Sequence, residues 1–259
     1  MEVLPFEKIS ESSLPIESIA LGFFDAVHVG HQKLLKRTLK LAPKKAAVLT
    51  FNKNPSAFLN HQNQKPLLTF QQKKTILKKM GFIAIITIDF SFYFSKMDGE
   101  EFIKRLLQVS SLRWLVAGAD FQCGHQKATD IEKIKAILIG SSVQLSVVGL
   151  DRKRATKVSS TMIRSLIDQG DFKAVRRLTG RFFELLLPLS VSRFQGKNIN
   201  RWQFSIQDFS QLLPKEGVFL VKSGNHFGKM IVLQTVVELI FLAKTIENRV
   251  IIIQKMRRK

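Results

Sequence analysis

The sequence predicts an α/β fold with a mostly parallel sheet, followed by a small module made mostly of β-strands. Two observations lead to this prediction. Over residues 1–180, short apolar runs typical of buried strands alternate with amphipathic helical stretches. Beyond that point helix caps become scarce, and short apolar runs are separated by polar or glycine-containing turns. We therefore expect two domains, residues 1–180 and residues 181–259.

Five apolar runs of the first domain are expected to be strands, and a helix should follow each of them. The expected strands are residues 19–24, 45–51, 82–88, 114–117 and 143–148. The expected helices start near Gly30 or His31, at Thr69, which can cap its helix, at Asp98, at Asp130 and within residues 158–164. Ligands of such sheets bind at the carboxyl edge of the strands, where the loops that follow the strands meet. In the second domain we expect strands in residues 181–187, 202–206, 217–221, 230–236 and 249–253.

Composition limits the classes of function. The formal net charge is +21, which favours partners that carry phosphate, although a bias in overall composition explains it equally well. The single cysteine, Cys123, excludes an intrachain disulfide and a zinc cluster held by thiolates. The first 18 residues lack the apolar core of a signal peptide, and no segment is long and apolar enough to span a bilayer. We expect a cytoplasmic protein.

A pair of histidines is the first candidate for chemistry. His28 and His31 flank Gly30 at a strand-to-helix turn, where backbone N–H groups and the helix dipole favour an anion such as phosphate. Each imidazole could donate to phosphate oxygens and stabilise charge on a leaving pyrophosphate. The simpler interpretation is two histidines with only a structural role. Metal binding ranks low because Asp25 is the only carboxylate nearby.

The start of a later helix is the second candidate. Ser159, Ser160 and Thr161 offer three hydroxyls, and Arg164 follows one turn later. These hydroxyls could simply cap the helix, but an arginine beside N-terminal amides is also suited to hold a triphosphate. Asp120, which follows an expected strand, could bind magnesium or a ribose hydroxyl, or could merely form a turn.

Four motifs together resemble a known family. Residues 22–31 (GFFDAVHVGH) resemble the G-x-F-D-G-V-H-x-G-H signature of bacterial FAD synthetases. These are the FMN adenylyltransferase part of the bifunctional riboflavin kinase/FAD synthetase family, within the HxGH nucleotidyltransferases with Rossmann-like domains. Residues 50–55 (TFNKNP) resemble its T-F-x-P-H-P loop, and residues 118–124 (GADFQCG) resemble G-x-D-F-x-F-G. Residues 158–164 (VSSTMIR) match V-S-S-T-x-I-R throughout.

The resemblance implies a reaction in which the FMN phosphate attacks the α-phosphorus of ATP, giving FAD and pyrophosphate with Mg²⁺. It implies that His28, His31 and Arg164 are catalytic. The ATP-binding residues that it implies are Gly22, Phe23, Phe24, Asp25, His28, His31, Ser159, Ser160, Thr161 and Arg164. The implied FMN-binding residues are Phe51, Asn54, Asp120 and Phe121. The implied partners are therefore the small molecules FMN and ATP, and neither a membrane nor a nucleic acid is expected.

Departures from the family pattern leave the histidine pair and the Ser-Ser-Thr-x-x-Arg motif unchanged. Ala26 stands where the signature has glycine and adds a methyl group to a tight turn. Lys53 and Asn54 replace a Pro-His pair, which removes a family histidine near the flavin phosphate. Cys123 replaces a phenylalanine. We expect activity to survive, with an altered affinity for FMN.

The C-terminal module resembles the riboflavin kinase barrel only in part. Residues 180–183 and 213–219 are similar to the family's domain junction and to one barrel strand, but the kinase motif P-T-A-N is absent. We expect a shortened kinase-like module without kinase activity, with an unrelated appendage as the alternative. Two other functions stay open. One is an HxGH transferase with a different phosphorylated acceptor, and the other is a protein that binds flavin or nucleotide without catalysis.

Overall fold

The computed structural model describes residues 1–52, 64–149, 158–188, 192–195, 199–243 and 245–256, the stretch 192–195 by its backbone alone. The chain divides into two units. The first consists of Met1–Gln64 and Phe70–Lys157, and the second of Lys65–Thr69 and Val158–Lys259. The functional division at residues 180 and 181 stays a prediction. Across the described residues, no helix is long and apolar enough to cross a membrane.

The first unit contains a six-stranded sheet in which every pair of neighbouring strands is parallel. The strands run in the order β1-β4-β3-β2-β5-β6, so chain direction across the sheet reverses between β2 and β5. Apart from the edge strand β1, this order matches five of the six strands of a doubly wound sheet, and it confirms the predicted α/β class. The strands are β1 (Glu2–Pro5), β2 (Ser18–Leu21), β3 (Ala46–Phe51), β4 (Ala84–Ile88), β5 (Trp114–Gly118) and β6 (Gln144–Val148).

Helices connect these strands, and the helices expected at Asp98 and Asp130 start there. Asp98 accepts a hydrogen bond from the Glu100 amide at 3.1 Å, and Asp130 accepts one from the Lys133 amide at 3.0 Å. One short helix was not predicted, and Ser91 caps it. The helices are α1 (Val29–Leu41), α2 (Phe70–Met80), α3 (Phe92–Lys96), α4 (Gly99–Leu107) and α5 (Ile131–Ile137).

Apolar strands form the core of this unit. All four residues of β2 and the first five of β3 are buried, as expected for central parallel strands that are covered on both faces. Because they are packed on both faces, these strands have fixed positions within the unit. The loops at their carboxyl ends therefore start from fixed points, and the loop after β2 carries the histidine pair.

The second unit is mostly β, as predicted. Helices α6 (Ser160–Gln169) and α7 (Phe172–Thr179) precede a seven-stranded antiparallel sheet in the order β7-β13-β10-β11-β12-β9-β8. Buried and partly exposed residues alternate along β10 and β12, so one face of these strands packs inward. The strands are β7 (Phe183–Leu186), β8 (Ser192–Gln195), β9 (Asn200–Ser205), β10 (Gly217–Ser223), β11 (His226–Val232), β12 (Val236–Phe241) and β13 (Arg249–Lys255).

The prediction of one strand in this module was wrong. Residues 230–236 span the end of β11, a hairpin turn and the start of β12, and they do not form a single strand. The Leu233 amide donates to the Val236 carbonyl at 2.9 Å and closes the turn. The sequence concealed this turn because residues 233–235 (LQT) contain neither glycine nor proline.

A short segment from earlier in the chain, Lys65–Thr69, belongs to this second unit. Gln211, which is fully buried, donates to the carbonyls of Leu67 and Glu184 at 2.8 Å each. The Leu212 amide donates to the Pro66 carbonyl at 2.9 Å. The backbone of this segment is thus satisfied by residues more than 140 positions later in the chain.

Candidate active site

The loop between β2 and α1 carries the histidine pair. His28 caps α1, and its Nδ1 accepts a hydrogen bond from the His31 amide at 3.3 Å. Because Nδ1 accepts, the proton of the neutral ring lies on Nε2, which makes Nε2 a hydrogen-bond donor. The first turn of this 13-residue helix contains no acidic side chain that would compete with an anion.

The two imidazole rings are stacked. Their centroids are 3.6 Å apart and their planes differ by 17°. The ring of Phe24 packs edge-on against His31, with centroids 5.2 Å apart. His28 is buried, whereas His31 is half-buried. The side chains are therefore held by packing as well as by the cap, and their orientation is fixed before any substrate arrives.

Two glycines of the signature lie in close contact with these rings. A Cβ atom on Gly22 would lie 2.8 Å from Cζ of Phe24, which is closer than real Cβ contacts. A Cβ atom on Gly30 would lie 3.2 Å from Nδ1 and Cε1 of His28. Gly22 and Gly30 thus each lie where a ring approaches the backbone closely, and neither has a positive φ.

The loop between them is strained. Phe24 and Val27 have φ values of 52° and 44°, in the left-handed region that a β-branched residue rarely adopts. Ala26, which stands where the family signature has glycine, is buried and does not have a positive φ. Its methyl group therefore fits the turn without backbone strain. Such strain persists where the surroundings hold the chain in place, as they often do at functional sites.

A buried lysine that the sequence interpretation missed lies beneath this loop. Lys73 of α2 is 4% exposed, and its Nζ donates to the Phe23 carbonyl at 2.9 Å and to Thr50 Oγ1 at 3.3 Å. The Thr50 hydroxyl donates to the same Phe23 carbonyl at 2.7 Å. Burial lowers the pKa of Lys73 from 10.5 to about 8, and the negative charge of Asp25 partly opposes this effect. The signal available was that Lys73 lies four residues before the buried Leu77, on the same helix face.

Phe51, predicted to bind FMN, lies at the end of β3 in a cluster of aromatic rings. Its ring is 6.3 Å from that of Phe23 and 5.6 Å from that of Phe90. It also packs edge-on against Phe94 at 5.9 Å. The structure thus places a predicted FMN-binding residue next to a predicted ATP-binding residue of the histidine loop.

The loop after β5 carries the other predicted FMN-binding residues that the structure describes. Asp120 is exposed, and its Oδ1 lies near Gly118, where a Cβ atom would come within 3.0 Å of it. Phe121 is half-buried against the core. Since β5 neighbours β2, this loop and the histidine loop leave the same edge of the sheet at the point where strand order reverses. Asn54 and Lys53 lie outside the described residues.

The environment of Cys123 disfavours its thiolate form. It pairs with Thr129 across a short backbone bridge. Burial, together with the negative charge of Asp98, raises the pKa of Cys123 to about 12. The thiolate is therefore scarce near neutral pH.

The second unit holds the other predicted ATP-binding residues, at the start of α6. Ser159 caps this helix and accepts a hydrogen bond from the Met162 amide at 3.2 Å. Ser160 is half-buried and Thr161 is exposed in the first turn. Arg164 donates from Nη1 to the Lys65 carbonyl at 2.7 Å. The structure therefore assigns a capping role to Ser159 and a backbone contact to Arg164, and it leaves their contact with ATP as a prediction.

Comparison with known proteins identifies the family. The family model for FAD synthetase matches residues 11–162, which is more than half of the chain. The chain is 29% identical over 234 residues to a bifunctional riboflavin kinase/FMN adenylyltransferase from Buchnera aphidicola subsp. Schizaphis graminum, covering 87% of this chain and 73% of that protein. It is 28% identical over 167 residues to an FAD synthetase from Listeria monocytogenes, covering 62% of this chain and 68% of that protein.

One solved structure has a similar fold. It is described as a macrolide-efflux protein from Streptococcus pneumoniae, and it superposes with a TM-score of 0.80 over 99% of this chain and 91% of that one. At 21% sequence identity, this similarity concerns the fold alone. With the match to the family model, the stacked histidines and the parallel sheet, the chain belongs to the FAD synthetase family of nucleotidyltransferases.

Proposed function

We propose that this protein is an FMN adenylyltransferase, which transfers AMP from ATP to FMN and releases pyrophosphate. The observation that carries the proposal is the stacked pair His28 and His31 at the start of α1, within the signature of the FAD synthetase family. A phosphate oxygen of FMN forms a bond to the α-phosphorus of ATP. The bond from that phosphorus to the bridging oxygen breaks, and the electron pair leaves with pyrophosphate.

The proposed role of the histidines is to stabilise the charge that develops on the phosphates. The Nε2 proton of His28, which follows from the bond that Nδ1 accepts, gives a donor to a phosphate oxygen. The N-terminal amides of α1 favour the same negative charge. The protein supplies no nucleophile in this scheme, so catalysis consists of positioning and charge stabilisation.

The remaining assignments follow the family motifs. We propose that Gly22 and residues 23–25 shape the nucleotide pocket and that Ser159, Ser160, Thr161 and Arg164 hold the triphosphate. FMN is assigned to Phe51, Asp120, Phe121 and Asn54. For Phe51 the support is its contact with Phe23, because the acceptor and the nucleotide must approach each other for transfer.

Magnesium is proposed only as a companion of the ATP phosphates. Among the residues that the structure describes, no group of three His, Cys, Asp or Glu side chains could hold a metal ion. Mg²⁺ in nucleotide sites is commonly bound by substrate phosphates, water and one or two carboxylates, so it needs no cage made of protein side chains. It would neutralise phosphate charge, and no residue of this chain is assigned to it.

We further propose that residues 181–259 have no riboflavin kinase activity. The support is the lack of a Pro-Thr-Ala-Asn sequence in this module, which in the kinase family provides the ligands of magnesium and nucleotide. The enzyme would therefore depend on FMN made elsewhere. We expect it to act in the cytoplasm, on small molecules rather than on nucleic acid.

The direct test is to incubate the purified protein with ATP, Mg²⁺ and either FMN or riboflavin, and to follow flavins by chromatography. FAD and pyrophosphate should form in equal amounts from FMN, and riboflavin should stay unchanged. A failure to make FAD with any of several divalent metals would contradict the transferase. FMN produced from riboflavin would contradict the inactive module.

A variant tests the histidine pair. His28→Ala should lower kcat by roughly 10²- to 10³-fold, the usual cost of removing one donor to a transition-state oxyanion. The matched control is His226→Ala, which removes an exposed histidine of the hairpin in the second unit and should leave kcat unchanged. Equal rates for the two variants would remove His28 from the site.

A further inference from the structure

The buried ammonium group of Lys73 has no role in the reaction described so far. Only 4% of this residue is exposed, and its Nζ donates to the Phe23 carbonyl at 2.9 Å and to Thr50 Oγ1 at 3.3 Å. The same nitrogen lies 4.9 Å from the centre of the Phe23 ring. Lysine is almost never buried in this way unless its charge is paired, since desolvation of an ammonium ion is costly. The position of Lys73 beneath the loop between β2 and α1 therefore suggests a functional role.

The contacts of Lys73 fall at the start of the strained turn. The Phe23 carbonyl, which Lys73 and Thr50 both bind, immediately precedes Phe24 with its φ of 52°. The ring of Phe24 in turn packs against His31. A chain of direct contacts thus runs from the ammonium group to the second histidine of the pair. Strained backbone stays in place only when its surroundings restrain it, and Lys73 is one of those restraints.

The charge of Lys73 changes within a range of pH in which enzymes work. Burial lowers its pKa to about 8, and the carboxylate of Asp25, on the neighbouring loop, is the charged group that opposes this. Thr50 on β3 and Phe23 on the loop face it without a titratable group. Below about pH 8 the group is an ammonium ion with three donors, and above it becomes a neutral amine that attracts Asp25 and the Phe23 ring less strongly.

We propose that Lys73 is a positioning residue, whose positive charge holds residues 23–25 and, through Phe24, the ring of His31 in the arrangement that binds ATP. This inference rests on the proposed function, in which residues 23–25 and His31 contact the nucleotide. Loss of the charge relaxes the loop and weakens nucleotide binding, while the parallel sheet stays folded. Lys73 itself does not touch ATP.

The test measures binding in the absence of FMN. A fluorescent ATP analogue is titrated into the full-length wild type and into Lys73→Met, Lys73→Arg and the control Lys78→Met, which removes an exposed lysine of the same helix. Each is measured at pH 7 and pH 9, with the far-ultraviolet circular dichroism recorded at both. We expect Lys73→Met to bind about tenfold more weakly at pH 7, the cost of one hydrogen bond to a charged group.

The pH dependence gives a second, independent readout. The Kd of the wild type and of Lys78→Met should rise severalfold from pH 7 to pH 9, whereas those of Lys73→Met and Lys73→Arg should change little. Equal affinity of Lys73→Met and wild type at pH 7 would overturn the inference. If Lys73→Met does not fold, Lys73→Gln takes its place, and an affinity equal to that of the wild type at pH 7 overturns the inference.

Failure of the inference and failure of the proposed function are separable in this design. A protein that binds the analogue in a manner dependent on Lys73, yet makes no FAD, would refute the transferase and retain the positioning role. A protein that makes FAD, but whose affinity for the analogue does not depend on Lys73, would refute the positioning role and retain the transferase.

Discussion

Replacing Lys73 by methionine is expected to remove a pH dependence from the stability of the first unit. The pKa of Lys73 is lowered from 10.5 in the unfolded chain to about 8 in the folded one. Below pH 8 both states carry the proton, and the folded state bears the cost of a buried charge. Between about pH 8 and 10.5 the folded state releases the proton first, so stability rises with pH over this range.

The magnitude follows from the size of the shift. A pKa difference of about 2.5 corresponds to about 3 kcal/mol of unfolding free energy. The wild type should gain about 2 kcal/mol of this between pH 7.5 and pH 10. Lys73→Met lacks this gain. The free energy of unfolding of the wild type relative to Lys73→Met should therefore increase by about 2 kcal/mol between the two pH values, whereas that of the wild type relative to Lys78→Met should not.

Urea denaturation at the two pH values provides the measurement. The chain contains two tryptophans, Trp114 in β5 of the first unit and Trp202 in β9 of the second. In a Trp202→Phe background, the fluorescence of Trp114 reports the first unit alone. If the unfolding free energies of Lys73→Met and wild type change equally between the two pH values, Lys73 keeps an ordinary pKa. The electrostatic reasoning is then refuted.

Three further predictions concern other parts of the structure. Gly22→Ala places a Cβ atom 2.8 Å from Phe24 Cζ, so its kcat for FAD formation should fall roughly 10- to 100-fold with little change in Tm; an unchanged kcat would contradict the packing argument. Gln211→Leu removes the hydrogen bonds of a buried amide and should lower the unfolding free energy reported by Trp202 fluorescence by about 3 kcal/mol, and a loss below about 1 kcal/mol would refute this. Cys123, with its pKa raised to about 12, should react with iodoacetamide at pH 7.5 about 10³-fold more slowly than an exposed thiol, and rapid alkylation of the native protein would contradict its burial.

The elements that could be predicted from sequence are those with a local chemical signal. Asp98, Asp130 and Ser159 each cap the helix that was expected to start there, because an N-cap needs only a side-chain oxygen beside free amides. The parallel sheet was predictable since runs of apolar residues alternate with amphipathic helices. The turn at Leu233 gave no such signal, because its backbone conformation uses residues that also occur in strands.

The histidine pair could be located from the sequence, whereas the residues that pack around it could not. His28 and His31 follow from the signature, and their stacking is a consequence of the cap that the same residues build. Lys73 was missed because a lysine among Lys74, Lys78 and Lys79 is normally solvated, and only tertiary contacts with Phe23 and Thr50 distinguish it. The strain at Phe24 and Val27 was likewise invisible, since neither residue type favours a left-handed conformation.

The segment Lys65–Thr69 depends for its hydrogen bonds on residues from the last hundred of the chain. Leu67 and Leu68 are buried, and the partner of the Leu67 carbonyl, Gln211, is synthesised 144 residues later. A chain that stopped at residue 180 would lack Gln211 and Leu212, the hydrogen-bond partners of the Leu67 and Pro66 carbonyls. We therefore expect the C-terminal module to complete the fold of this earlier segment, a structural role that requires no activity of its own.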